Sequence, residues 1–337
     1  MTWTWKVVDP DGAAWASLLQ QQTHLVFHEP VWANVLARGV SSQVMALMLL
    51  QNEQPKAGAL GFLISLGGVR IAYFNYPYGS LFGELPSGNE LERLLQAFAN
   101  QYRVCQIQFL GHSTAPSLRG PRMEVTEDQT QLSQLAGMTT EDLWSGYRRS
   151  RRQDLRKIRE RGVRIETAQT PADVAEVHRC YLETMQRTGG VARYRRQLLQ
   201  AIVDHCEPAG CGRIYVARKD ERVIAGMVIV ESDGLSHGLL LAAENDARAD
   251  QPNKLLLHTA LEEAIQRGQA ALDYMPSGKS ARGVANFKDL WGAESIPIQH
   301  HTLVTQPVRA RLWRLAYAAA GSPPMRRLIS WYRRWRS

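Results

Sequence analysis

Apolar residues along this chain fall into two series of the same design. Residues 43–50 form a strand-length apolar run; a polar turn follows, then Lys56-Ala57-Gly58 and a second run over 59–66. Short apolar runs bounded by turn residues predict a β-hairpin. Residues 211–219, the turn Asp220-Glu221-Arg222, then Ile224-Ala225-Gly226 and 227–231 repeat the arrangement. Each hairpin leads into a glycine-containing turn, Gly67-Gly68 or Asp233-Gly234, and a third strand. Gly58 and Gly226 stand 168 residues apart, half of the 337-residue chain. Each series then continues with a helix of similar length, 90–101 and 252–267, and a short strand, 105–110 and 270–274.

In the second series two helical stretches, 172–187 and 194–206, precede the hairpin, and a helix (282–290) and a last strand (295–305) close it. Helices packed on a mixed, mostly antiparallel sheet define an α+β layer architecture. Polar residues 129–141, with Gly137, read as the linker, and a helix over 143–161 as the bridge between halves. The expected division is 1–135, 136–305, and a basic helical tail, 306–337. Ser87-Gly88-Asn89-Glu90 reads as a capping box at the start of the first-half helix.

Composition narrows the class. The chain is 45% hydrophobic and 21% charged, an ordinary globular balance. Its start has no apolar signal region, and no apolar run approaches the ~20 residues of a spanning helix, so a cytoplasmic protein is expected. Cys105, Cys180, Cys206 and Cys211 lack metal-ligand spacing, and His24, His28, His300 and His301 read as structural; no metal is expected.

Charge is unevenly spread. Residues 306–337 hold eight arginines and no acid, and 148–164 hold nine basic residues against Asp154 and Glu160. Such blocks mark anionic partners or a solvated face. Between 325 and 336, Met325, Leu328, Ile329, Trp331, Tyr332 and Trp335 share one helical arc opposite most of the arginines. An amphipathic helix of that kind, over 323–337, suits an anionic membrane surface and a place on its inner face.

Three segments carry a family resemblance. They are Arg152-Gln153-Asp154-Leu155-Arg156-Lys157-Ile158 running to Gly162-Val163, the helix Tyr181-Leu182-Glu183-Thr184-Met185-Gln186-Arg187, and Asp273-Tyr274-Met275-Pro276-Ser277-Gly278 followed by Asn286-Phe287-Lys288-Asp289-Leu290-Trp291-Gly292. In order and spacing they resemble Fem-type (FemABX-like) nonribosomal peptidyl and aminoacyl transferases, tandem copies of the GNAT acyltransferase fold. The resemblance covers about 140–305; the first half matches in layout only.

It implies transfer of an activated acyl or aminoacyl group onto an amine. Lys288 would serve the donor and the reaction centre, and Arg187 an anionic acceptor such as a lipid-linked precursor. Tyr274, Ser277 and Phe287 sit in the third segment, and Arg151, Arg152 and Arg156 in the basic helix, as substrate-binding candidates. Asp273 and Asp289 are candidate bases by position. No bound cofactor is implied; the donor is aminoacyl-tRNA, acyl-CoA or an acyl carrier. GNAT enzymes usually cradle the coenzyme A pyrophosphate on a glycine-rich loop, yet no glycine occurs between Gly238 and Gly268. That departure favours a bulkier donor. Two other readings stay open: an acyl-CoA- or acyl-carrier-dependent N-acyltransferase making a small product, and a non-catalytic RNA-binding module. Against the last, the basic helix lacks interleaved aromatics for stacking bases.

Overall fold

The structure, a computed structural model, describes residues 2–40, 42–66, 68–276, 287–288 and 290–320. Both expected hairpins form: β2 (Gln43–Gln51) with β3 (Gln54–Leu66), and β9 (Gly212–Lys219) with β10 (Arg222–Ser232). Each closes through two residues of positive φ, Asn52-Glu53 and Asp220-Glu221, again 168 residues apart. That backbone follows the right-handed twist of the flanking strands. The repeated glycines have a packing reason. A Cβ on Gly58 would lie 2.6 Å from the Trp15 ring of α1 (Ala13–Gln21), and one on Gly226 would lie 2.5 Å from Val177 of α6 (Pro171–Thr188). Each half seats a helix where a side chain is missing.

β1 (Trp3–Val8) pairs with β2, β4 (Val69–Phe74) with β3, β8 (Arg164–Thr167) with β9, and β11 (Leu235–Ala243) with β10. The short β5 (Phe82–Gly83) also joins β3. A helix then crosses over in each half, α3 (Gly88–Tyr102) or α8 (Pro252–Gln266), and delivers a parallel strand. β6 (Val104–Gly111) lies beside β4, and β12 (Ala271–Asp273) beside β11. A parallel pair requires such a crossover. The α+β plan of two tandem copies therefore holds.

The last strand of each half is exchanged. β7 (Met123–Gln134) pairs with β12 of the second half, and β13 (Glu294–Val304) pairs with β6 of the first. β7 and β13 pair with each other over ten residues, giving the order β1-β2-β3-β4-β6-β13-β7-β12-β11-β10-β9-β8. One sheet therefore runs through both halves. On one face α2 (Pro30–Gly39) meets α7 (Arg196–Ala201), so closely that a Cβ on Gly39 would lie 2.7 Å from Leu198. Trp32, Leu36, Val177 and Leu198 belong to one apolar core shared by both halves on that face. On the other face the halves keep separate cores, under α3 in the first and under α4 (Thr140–Gly146), α5 (Arg149–Glu160) and α8 in the second.

Three expectations change. Residues 129–134 are strand, not linker: Thr130, Gln131 and Ser133 are buried, and Thr130 and Ser133 place their hydroxyls on Asp273 and Tyr274. The bridging helix 143–161 is two helices. α4 stops where Tyr147 turns extended and inserts its ring beside His258 and Trp291, and Arg152 covers the exposed carbonyls of Ser145 (3.0 Å) and Trp144 (3.4 Å). The capping box at α3 does not form: Ser87 makes no side-chain cap, and the Glu90 side chain pairs with Arg93 (2.7 Å). The expected helix 282–290 and the stretch 323–337 lie largely or wholly outside the described residues. The basic tail begins with α9 (Pro307–Ala320).

Candidate active site

β11 and β12 run side by side for three residue pairs, ending with His237 opposite Asp273. Then they part. β11 continues to Ala243, whereas the chain after Asp273 turns to β7, where the Tyr274 amide donates to the Gln131 carbonyl (2.9 Å). Met275 follows with a φ of 62°.

Asp273 is completely buried. Its Oδ1 accepts the Met275 amide (2.8 Å) and the Thr130 hydroxyl. Its Oδ2 faces His237 Nδ1 at 3.4 Å and His112 Nε2 at 3.8 Å. Burial alone would push this carboxyl up, but the His237 contact, with Thr130 and His112, holds it below the usual carboxylate range. It is ionised at neutral pH. His237 Nε2 in turn meets the Ser232 hydroxyl (3.1 Å), whose oxygen accepts the Val26 amide (2.8 Å). A polar chain thus joins the first half to Asp273. Burial drives His112 down to about 4, so that ring is neutral at pH 7.

Lys288 lies on the other side of Met275. Its side chain is buried, 6% exposed, and Nζ donates to the Met275 carbonyl (2.5 Å). Burial lowers the ammonium from 10.5 to about 8, against the pull of the Asp273 charge, which raises it. Met275 therefore holds both groups, its amide on Asp273 and its carbonyl on Lys288. Sequence reasoning named these two residues, and the structure brings them together. Tyr274 belongs to the same turn but points elsewhere: its hydroxyl shares a hydrogen bond with Ser133 (2.7 Å), and Ser133 donates to the Trp291 carbonyl (3.2 Å).

A second cluster adjoins the first. The Arg151 guanidinium stacks over Trp291 (4.5 Å) and Tyr147 (5.2 Å) at the edge of a cleft of about 400 Å³. Burial lowers its pKa below the ordinary arginine value. The Trp291 amide donates to the Lys288 carbonyl (2.8 Å), and the Phe287 ring lies 6.2 Å from Trp291, so this cleft and the lysine share one segment. The remaining candidates stand apart. Arg187, at the end of α6, donates to Asn245 (2.5 Å) and Thr184 (3.3 Å). Arg152 closes the end of α4, and Arg156 rests 5.9 Å over Trp144. Ser277 and Asp289 lie outside the described residues.

Sequence reasoning missed Thr130, His112 and His237. Their one visible trace is the internal repeat, because only strand pairing tells which residue faces Asp273.

The start of α8 is where a GNAT protein would seat a pyrophosphate. Here Gln251 precedes Pro252 with a φ of 52° and gives no side-chain cap. The loop before it carries Glu244, Asp246 and Asp250, and is tied down by Arg179 on Glu244 (2.8 Å), Lys219 on Asp250 (2.9 Å) and Arg161 on the Ala249 carbonyl (2.5 Å). The loop holds no glycine, and Pro252 removes one of the free amide donors that a phosphate would use at the helix start.

Comparison with known proteins agrees with this architecture. Residues 145–289 match the acetyltransferase (GNAT) domain family. That match lies wholly within the expected second division of the chain, 136–305. Among solved structures the chain is similar to FemX, with a TM-score of 0.59 and 11% identity over 90% of this chain and 98% of that one. It is also similar to a tandem GNAT protein from the clavulanic acid biosynthesis pathway (TM-score 0.57, 10% identity, 89% and 98% covered). A third is L-PGS from Bacillus licheniformis (0.56, 13%, 92% and 96%). The whole chain has a Fem-like tandem GNAT fold, as its motifs led us to expect. No curated protein matches it in sequence. Among the described residues no helix is long and apolar enough to cross a membrane.

Proposed function

We propose that this protein moves an activated acyl or aminoacyl group from a carrier onto an amine, with Lys288 at the reaction centre. The observation that carries the reading is a buried ammonium, held beside an ionised Asp273 at the point where β11 and β12 part.

The acceptor amine attacks the carbonyl carbon in its neutral form, forming the C–N bond and placing negative charge on the carbonyl oxygen. A preorganised cation in a site shielded from water stabilises that charge. When the bond to the carrier breaks, the departing oxygen or sulfur takes a proton, and a lysine at about 8 is well matched to give it near neutral pH. The proton lost by the amine leaves to solvent, and one like it restores Lys288. Asp273 has no exposed surface and its oxygens are occupied, so its part is to position Met275 and keep Lys288 charged rather than to act as base.

Aminoacyl-tRNA is the donor we favour over coenzyme A. The glycine-free, proline-headed start of α8 supports this, as do the exposed Arg148, Arg149, Arg156, Lys157 and Arg159 of the basic segment. The Arg151–Trp291 cleft would receive the donor's end, with Phe287 and Tyr274 standing behind its lining, Phe287 against Trp291 and Tyr274 on Ser133. Arg187 would meet an anionic, lipid-linked amine acceptor, placing the enzyme at the inner face of the membrane.

Purified enzyme incubated with a pool of acyl-CoAs and charged tRNAs, followed by identification of the consumed donor, tests the class. Lys288→Ala is expected to lower turnover by roughly a hundredfold or more. Undiminished turnover removes Lys288 from the mechanism. Consumption of acyl-CoA alone overturns the tRNA reading.

A further inference from the structure

We propose that the outer face of α9 is a docking surface for an anionic lipid bilayer. This is independent of the transfer chemistry above.

α9 is two-faced. Its inner side places Ala310 and Trp313 against Ile71 and Cys105, on the first-half side of the sheet. Its outer side presents Val308, Leu312 and Leu315, which are 75%, 55% and 60% exposed. Spacings of four and three put the three side chains on one stripe along the helix. Large apolar residues scattered singly over a surface need no explanation, but a contiguous stripe does.

Charge identifies the occupant. Arg309, Arg311 and Arg314 are exposed along the same helix, and no acid occurs from Gln306 to Ser337. Arg309 has only the Gln306 side-chain oxygen (3.1 Å) as a described hydrogen-bond partner. Arg103 stands exposed just before β6, on which α9 packs. An apolar stripe with arginine shoulders places its hydrocarbon among acyl chains and its guanidinium groups among headgroup phosphates. A second copy is disfavoured as the partner, since a two-fold contact through this stripe would oppose arginine to arginine. The chain's own residues 321–337 are disfavoured by the same logic, with five more arginines and no acid.

The test is co-sedimentation of the full chain with phosphatidylcholine vesicles, with and without phosphatidylglycerol. V308S/L312S/L315S is expected to lose at least about tenfold in partitioning to the mixed vesicles. R309Q/R311Q/R314Q is expected to lose the preference for phosphatidylglycerol. Every substituted side chain is exposed, so an unchanged circular dichroism melt should accompany both variants. Binding of V308S/L312S/L315S equal to that of the unaltered protein overturns the proposal. So does absence of binding by the unaltered protein, or light scattering showing a dimer that V308S/L312S/L315S dissolves.

Discussion

The two halves repeat one plan and finish it in opposite ways. In the first, β4 and β6 stay together to Phe74 opposite Phe109, and those rings stack at 5.2 Å with an interplanar angle of 14°. The Gly79 amide then donates to the Leu110 carbonyl (3.2 Å), closing the strand ends further. In the second, the parallel pair ends at His237 opposite Asp273, and the strands separate. Two apolar rings meet at the end of one pair; a buried imidazole and a buried carboxylate meet at the end of the other. On the function proposed above, a duplicated scaffold keeps one copy for packing and reserves its twin for chemistry, by the choice of two facing residues.

Breaking each pair should give different symptoms. Asp273→Asn leaves its buried partners without the charge they were arranged around, and a loss of about 3–5 kcal/mol is expected in denaturant unfolding, with transfer activity lost as well. Phe109→Ala should cost a similar ~3–5 kcal/mol through the cavity it leaves, yet turnover per folded molecule should stay near that of the unaltered enzyme. If Phe109→Ala abolished turnover while folded, the first copy would not be purely structural.

Lys288 sharpens the contrast through pH. Its folded value, about 8, lies below the 10.5 of an unfolded lysine, so the unfolded chain binds the proton more tightly. The folded state therefore carries a penalty that is fully present below about pH 8 and relieved as pH rises towards 10.5. Lys288→Met should raise stability at pH 7 by up to roughly 3 kcal/mol, and the gap should close near pH 10 in parallel thermal melts. Transfer by the unaltered enzyme should fall as pH passes upward through about 8, where the ammonium is lost. A flat profile there would argue for a lysine that acts only in packing.

The smallest contrast lies at helix starts. Thr170 accepts the Asp173 amide at the start of α6, and Thr170→Ala should cost about 1 kcal/mol. Ser87 makes no such bond on α3, so Ser87→Ala should change unfolding by only a few tenths.

Local features were legible in the sequence. The hairpins, the helices that follow them and the 168-residue spacing of Gly58 and Gly226 follow from runs and turns, while the reason those two positions are glycine needed the packed helices. Lys288 and Asp273 were each singled out through the motifs that hold them, but their meeting across Met275 was not. Long-range features were not. β7 reads as a linker because Thr130, Gln131 and Ser133 are polar, and they are polar because they lie mid-sheet against Asp273 and Tyr274. His112 and His237 look like any isolated histidine until strand pairing sets them around one carboxylate.

The exchange of β7 and β13 has a consequence for synthesis. When the ribosome has released residues 1–135, the edge of β6 still awaits a strand that is encoded near residue 300. Until β13 emerges, that edge is an open template for pairing with any neighbouring chain. A nascent chain of this protein is therefore at its most vulnerable to misassembly while its second copy is being made, and protection at that stage would have to come from a chaperone or from speed.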